Sequence, residues 1–164
     1  MPATASNIDP LRRIILRSAG ASGAISVLLA AGLLRPTGVL AAEWNRPAFT
    51  ATSLSDAIKA SGLTGSVESN GIVIKTVEIA ENGAQVPVEV VSNIADSQTI
   101  AVFVDKNPLP LAASLNFAKG TLARVRLQLK MAESSRIRVV VKAADGKTYH
   151  TSREVKVTLG GCGG

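Results

Sequence analysis

The sequence is poor in three kinds of residue on which protein chemistry often depends. Its 164 residues include one cysteine, one histidine and five aromatic side chains. A lone cysteine cannot form a disulfide within the chain, so packing must stabilise the fold. The chain has no second histidine or cysteine to complete a metal site, and we expect neither a metal cluster nor a cofactor. His150, the only histidine, falls in a predicted strand, where a lone imidazole is more often a surface residue than a catalytic one.

The excess of positive charge is also small once the amino-terminal segment is set aside. The whole sequence has 18 Lys and Arg against 12 Asp and Glu. Residues 1–41, which we predict to be removed, hold four of the basic and one of the acidic residues, which leaves 14 against 11 and a net charge of +3. A nucleic-acid binder needs a concentrated basic face or stacking aromatics, so this class is not expected.

The amino-terminal residues run from charged to apolar to small, which is typical of a cleavable export signal over residues 1–41. Cleavage after Ala41 is expected, with Ala42 as the alternative. The pair Arg12-Arg13 resembles the twin-arginine motif, which an export receptor reads directly. The apolar stretch from Ser18 to Leu34 is rich in Ala, Gly and Ser, and is short and weakly hydrophobic for a hydrocarbon core of ~30 Å. We therefore expect no retained membrane anchor.

The rest of the chain, residues 42–159, predicts one domain that begins with a short helix. Phe49, Leu54 and Ile58 recur near helical spacing between Pro47 and Ser61, and the following glycine, Gly62, suits a helix end. From Ile72 onward, short runs rich in Val, Ile and Thr are broken about every ten residues by turn signals. This pattern predicts an all-β immunoglobulin-like antiparallel sandwich.

Seven strands are predicted from these runs. Their ranges are Ile72 to Ala80, Ala84 to Ser92, Gln98 to Asp105, Ala112 to Phe117, Leu122 to Met131, Arg136 to Ala143 and Thr148 to Thr158. Asn82-Gly83 predicts a tight hairpin. Pro87 cannot donate to a ladder, which predicts an edge strand or a bulge. Leu122, Leu127 and Leu129 are expected to face the core.

The carboxy-terminal residues Gly160, Gly161, Cys162, Gly163 and Gly164 read as a flexible arm around the only thiol. Glycine lacks Cβ and adopts both signs of φ, so the frame leaves the backbone free and removes bulk around the sulfur. Five extended residues reach at most ~16 to 18 Å. No base, cation or helix terminus lies beside the thiol in the sequence, so nothing local lowers its pKa from the ordinary value of ~8.5. These features indicate a chemical handle that other proteins act on.

The arm and several other segments together resemble the SoxY family, the sulfur carriers of the periplasmic thiosulfate-oxidising Sox system. The matching segments are the terminal "REVKVTLGGCGG", "AENGAQVPVEV" from Ala80, "VDKNPLPLAA" from Val104, and the twin-arginine start. The resemblance spans nearly all of the mature chain, and the Gly-Gly-Cys-Gly-Gly ending is its most specific part.

The resemblance implies a substrate carrier and not an enzyme. Cys162 would hold substrate sulfur covalently as a thiosulfonate or persulfide. The implied partners are SoxZ, as the second subunit of a heterodimer, and three transient ones: a c-type cytochrome conjugating enzyme, a thiosulfohydrolase and a sulfane dehydrogenase. The implied location is the periplasm, reached through the twin-arginine pathway.

A rival interpretation belongs to another class of protein. An exported immunoglobulin-type module could serve structure or adhesion and use Cys162 only to join chains through an intermolecular disulfide. Additions of sulfur on Cys162, removable by reductant, would favour the carrier.

Overall fold

The computed structural model describes residues 44–159, and they form two β-sheets with few helices. The larger sheet has six strands, with the order β1-β9-β8-β5-β6 and with β3 also paired to β9. The smaller sheet has the order β2-β4-β7. The strands are β1 (Val67–Glu68), β2 (Ile72–Thr76), β3 (Ile79–Asn82), β4 (Val86–Ser92), β5 (Ser97–Val104), β6 (Leu111–Asn116), β7 (Arg124–Leu129), β8 (Ser135–Ala143) and β9 (Thr148–Leu159). The all-β prediction is confirmed.

The main core lies between the two sheets. Ile74, Val88 and Val90 of the smaller sheet pack in one cluster with Val102 and Val139 of the larger sheet. The alternation of buried and exposed residues along β4 and β8 produces this arrangement, because side chains two apart share a face of a strand. The two sheets therefore form the halves of a sandwich around a shared apolar interior.

Two short helices, α1 (Arg46–Thr50) and α2 (Leu54–Ala60), replace the single helix predicted from Pro47 to Ser61. Ala51 is extended and breaks the helical path. Ser53 then caps α2, because its hydroxyl accepts a hydrogen bond from the backbone N–H of Asp56 at 3.1 Å. The single-helix prediction was wrong because the helical spacing of apolar residues continues past Ala51, although the extended Ala51 and the cap at Ser53 divide the segment into two helices.

The end of α2 confirms the role predicted for Gly62. Its φ of 66° lies in the left-handed region, which glycine adopts without strain. The N–H of Gly62 bonds the carbonyl of Lys59, and that of Leu63 bonds the carbonyl of Ile58. This pair of bonds is a Schellman motif, and it places Leu63 in the cluster that joins the helices to the larger sheet. Phe103 and Val140 supply the sheet side of that cluster.

Pairing in the sandwich is mixed, in contrast to the antiparallel prediction. Both β1 and β3 run parallel to β9, while the other pairs are antiparallel. The strand predicted from Ile72 to Ala80 is in fact two strands, because β2 pairs with β4 in the smaller sheet and β3 pairs with β9 in the larger one. The chain crosses between the sheets at Val77 and Glu78. Strand β1 was not predicted.

Two turn predictions need correction. Asn82-Gly83 does not close a hairpin, since the strands on either side of it, β3 and β4, belong to different sheets and do not pair. Pro87 does not lie on an edge strand, because β4 is central in the smaller sheet. Its missing N–H is tolerated because the last pair between β2 and β4 is Thr76 with Val88, so Pro87 lies beyond the end of β2.

The predicted inward set of β7 is partly wrong. Leu129 is buried and Leu127 packs against the core, but Leu122 is 72% exposed. Leu122 precedes the strand, which begins at Arg124, and Ala123 takes the inward position instead. Among residues 44–159, no helix has the length and apolar character needed to cross a bilayer.

Candidate functional site at the end of the last strand

Strand β9 leads to the predicted arm and is held along its whole length. From Thr148 to Val155 it pairs with β8. Beyond Val155, β8 has ended, and β3 becomes the neighbour through the pairs Ile79 with Lys156 and Asn82 with Leu159. The partner of β9 therefore changes from β8 on one edge to β3 on the other edge, and the strand stays in the sheet up to Leu159.

Side chains replace the missing β8 ladder near the end of β9. The hydroxyl of Ser134 accepts a hydrogen bond from the N–H of Val157 at 2.8 Å, and the same hydroxyl lies 3.3 Å from the carbonyl of Val157. The hydroxyl of Thr158 donates to the carbonyl of Glu81 at 2.8 Å. Since a strand edge without partners tends to fray, these bonds help to hold the last residues of β9 in the sheet.

The site residues predicted from the sequence lie outside the described residues. These are Cys162 and the glycines around it, Gly160, Gly161, Gly163 and Gly164, together with the signal residues Arg12 and Arg13. What the structure does place is the root of the arm, the Cα atom of Leu159. Cys162 follows three residues later. An extended chain advances at most ~3.6 Å per residue, so its Cα lies within about 11 Å of this root.

The surroundings of the root contain no imidazole that could act as a base on the thiol. His150 pairs with Glu68 of β1, nine residues before Leu159, which is about 30 Å along a strand. There its Nδ1 atom lies 2.9 Å from the hydroxyl of Ser66. This contact ties β9 to the segment before β1, and it gives His150 a structural partner far from the arm.

Two carboxyl groups elsewhere in the domain have a lowered pKa. Partial burial disfavours the charged form of Glu89, but hydrogen bonds and positive charge from Arg126 and Arg124 outweigh it and lower the pKa of Glu89. The pKa of Asp145 is lowered by hydrogen bonds from Lys147, in the turn between β8 and β9. Both groups take part in ion pairs. Within residues 44–159, no three His, Cys, Asp or Glu side chains converge as metal ligands.

One cavity of the described residues has a volume of about 710 Å³ and lies at one end of the sandwich. Its lining includes Ser92 at the end of β4, Ser97 at the beginning of β5 and Ile94 in the loop between them. Leu122 lines it from the loop before β7. The hydroxyls of Ser92 and Ser97 are 2.8 Å apart and satisfy each other. This cavity is at the opposite end from Leu159, because Ser97 pairs with Ala143 and the cavity lining includes Ala144, beside the turn that leads into the start of β9.

The described residues thus define a small all-β domain, two sheets around one core, whose last strand is secured up to the point where a glycine-flanked cysteine follows. The family model described as sulfur oxidation protein SoxY matches residues 59–162, well over half of the chain and including Cys162. The chain belongs to the SoxY family.

A solved structure agrees with this assignment. The sulfur carrier protein SoxY from Chlorobium limicola f thiosulfatophilum is 42% identical, and the match covers 65% of this chain and 97% of that one, with a TM-score of 0.59. A superoxide reductase (neelaredoxin) from Ignicoccus hospitalis also aligns, at 16% identity over 62% of this chain and 86% of that one, with a TM-score of 0.48. Comparison with curated protein sequences gives no match.

Proposed function

We propose that this chain is a sulfur carrier that binds sulfur intermediates covalently on Cys162 and presents them to partner enzymes. The observation that carries the proposal is a match to the SoxY family that continues through Cys162, beyond a strand that is held in place up to Thr158. A rigid root followed by glycine gives the thiol a fixed origin and a free path. This is what a substrate needs if several separate pockets are to receive it.

The chemistry proposed for Cys162 follows from the family. The thiolate sulfur forms a bond with the outer sulfur of thiosulfate, and the two electrons released pass to the c-type cytochrome conjugating enzyme. Water, with the thiosulfohydrolase, then cleaves the bond to the sulfonate and releases sulfate, which leaves a persulfide on Cys162. The sulfane dehydrogenase would then accept six electrons from the outer sulfur of the persulfide while three water molecules supply its oxygens, which gives a sulfonate on the sulfur of Cys162. A second hydrolysis would release this group as sulfate and restore the thiol. In each step the carrier supplies the attachment atom and the partner supplies the catalytic groups.

A non-catalytic role fits the root of the arm. An enzyme that uses a cysteine nucleophile holds the thiol rigidly beside a base and an orienting group. Here the chain that follows Leu159 has glycines at four of its five positions. The histidine that could have served as a base is about 30 Å from the root along β9. Activation of the thiol is therefore assigned to the partners' pockets.

The cellular setting of the carrier forms part of the same proposal. Residues 1–41, with Arg12 and Arg13, would direct twin-arginine export to the periplasm and would then be removed. The domain of residues 42–159 would act as an immunoglobulin-like sandwich bound to SoxZ, and residues 160–164 would form the arm. No cofactor is assigned beyond the sulfur held on Cys162.

The direct test replaces the proposed attachment atom. Cys162→Ser should fold normally, because residue 162 lies past the last strand, and should keep its partners but support no thiosulfate oxidation in a reconstituted system. A thermal melt and a gel-filtration profile like those of the unmodified protein control for folding. Thiosulfate oxidation that continues with Cys162→Ser would refute the attachment site.

A second test separates the carrier from a module that only joins chains. Gly161→Val adds bulk beside the sulfur without changing the thiol, so delivery to a narrow pocket should slow while titration of the thiol with a small reagent stays the same. In an adhesion module joined by a disulfide, added bulk at residue 161 would not change the turnover of any enzyme. Unchanged turnover with purified partners would contradict the proposed delivery through the arm.

A further inference from the structure

Apolar side chains are exposed beside the root of the arm. Ile79 of β3 is 60% exposed, and Val77, which follows β2, is 40% exposed. The register between β2 and β4, continued by one pair beyond Thr76 and Val88, sets Val77 opposite the exposed Pro87. The three residues Val77, Ile79 and Pro87, which we call the root patch, line one cleft of about 310 Å³.

The root patch is fixed in position relative to the arm. Strand β3 pairs Ile79 with Lys156 and Asn82 with Leu159, so Ile79 lies three strand residues, about 10 Å, from the place where the arm begins. The carbonyl of Glu78, between Val77 and Ile79, accepts a hydrogen bond from the N–H of Lys156 at 2.9 Å. The segment that carries the patch is thus bonded directly to the last part of β9.

The length of the arm brings partners onto this surface. The Cα atom of Cys162 lies within about 11 Å of that of Leu159. A protein that draws the sulfur into a pocket several ångströms deep must therefore rest the rim of that pocket on the surface around Leu159. A surface within about 10 Å of the root is consequently covered whenever the sulfur is handed over.

We propose that the root patch is the docking surface for the rims of the pockets that receive Cys162, and that these rims are apolar. This inference rests on the proposed carrier function. Exposed apolar clusters on soluble proteins mark places of contact with other molecules. The three side chains of the patch bear no charge, and the adjacent Glu78 is paired with Arg153 at 3.3 Å. Glu81 lines the same cleft, so an apolar rim with a polar edge facing Glu81 is the best complement of this surface. A patch of three residues suits an encounter that must form and separate at every transfer.

The chain offers a matched control at the other end of β9. Val67 of β1 is 64% exposed and also lies in a strand that pairs in parallel with β9, through Val67 and Tyr149. Tyr149 precedes Leu159 by ten residues, about 33 Å along the strand, so a partner seated at the root does not need to touch Val67. The same substitution, valine to threonine, can therefore be made inside and outside the proposed surface.

The experiment compares the double variant V77T/I79T with V67T and the unmodified carrier, each with its companion subunit and loaded from thiosulfate. Threonine keeps the β-branch that favours strands and adds a hydroxyl. Sulfate release by purified thiosulfohydrolase is measured against carrier concentration. The double variant should lose about tenfold in kcat/KM and keep its kcat at saturation, while V67T matches the unmodified carrier. The reaction of Cys162 with a small neutral disulfide reagent should be equal in all three.

Three results would overturn the inference. The first is an equal kcat/KM for the double variant and V67T. The second is a lower kcat at saturation, which would place the effect after docking. The third is loss of the companion subunit or of self-association with unchanged transfer, which would make the patch a permanent interface. Absence of sulfate release from the unmodified carrier would instead refute the carrier function itself, and is distinguished because the control then fails too.

Discussion

The hydroxyl of Ser134 is expected to control how far the ordered part of β9 extends. It accepts from the N–H of Val157 at 2.8 Å at the point where β8 no longer pairs with β9. In Ser134→Ala this N–H loses its partner on that side, while β3 continues to hold the other side through Ala80 and Val157. The arm would then gain length from the strand that supports it.

The size of the effect follows from the loss of one hydrogen bond, which contributes about 0.5–1.5 kcal/mol. Local opening at Val157 should therefore increase about 2- to 12-fold, since ~1.4 kcal/mol corresponds to a factor of ten. Native-state hydrogen exchange should show faster exchange of the Val157 amide and an unchanged rate at Val139, in the middle of β8. The global free energy of unfolding should fall by no more than ~1.5 kcal/mol.

Two further variants make this prediction specific. Ser134→Thr retains the hydroxyl and should restore slow exchange at Val157. Ser152→Ala removes an exposed hydroxyl from β9 itself and should leave amide hydrogen exchange near Leu159 unchanged. Equal exchange at Val157 in Ser134→Ala and the unmodified protein would refute the view that this hydroxyl secures the root of the arm.

Three other predictions concern the body of the domain. Phe103→Ala should lower the free energy of unfolding by about 3–5 kcal/mol in urea titration, because this fully buried ring joins the helices to the larger sheet; a loss under ~1 kcal/mol would contradict that packing. Gly62→Ala should cost about 1–2 kcal/mol in the same titration because its φ is 66°, and no loss would argue against the Schellman motif. Because the pKa of Glu89 is lowered in the folded state, its charged form stabilises the fold at a pH above the ordinary glutamate pKa. This stabilisation is lost as the pH falls through the pKa that Glu89 has in the folded state. The difference in melting temperature between the unmodified protein and Glu89→Gln should therefore shrink as pH is lowered from neutral to acid, and a difference that grows would contradict the ion pairs with Arg124 and Arg126.

Local signals in the sequence predicted local structure well. Gly62 ends a helix, and one of the turn signals that separate the predicted strands, Asp145-Gly146, makes the turn between β8 and β9, with Gly146 at a φ of 83°. In these cases the backbone conformation demands a particular residue, so the residue reveals the conformation. The late strands were found for a similar reason, since alternation of apolar and polar side chains is set by the two faces of each strand.

The errors concern which strands meet, and these depend on distant parts of the chain. The run rich in Val, Ile and Thr continues from Ile72 to Ala80, although the chain changes sheets at Val77 and Glu78. Whether Asn82-Gly83 closes a hairpin likewise depends on the strand with which β3 pairs. That strand is β9, and Ile79 pairs there with Lys156, 77 positions later in the sequence. Strand β1 is two residues long and exists only because β9 offers an edge.

The candidate site divides in the same way. Cys162 and its glycines stay a prediction from sequence, made because four glycines around a lone thiol have few structural uses. The root patch was not recognisable, since Val77 and Ile79 read as ordinary members of one strand. Their exposure follows from the crossing between sheets, which turns them away from both cores.

Intact-mass measurement of the protein isolated from cells tests the central claim most directly. Protein isolated from cells that oxidise thiosulfate should carry added sulfur or a thiosulfonate, removable by reductant and located at Cys162 by fragmentation. The same preparation of Cys162→Ser should show the unmodified mass. An unmodified thiol in actively oxidising cells, or an adduct that persists in Cys162→Ser, would contradict the account of this chain as a carrier of sulfur.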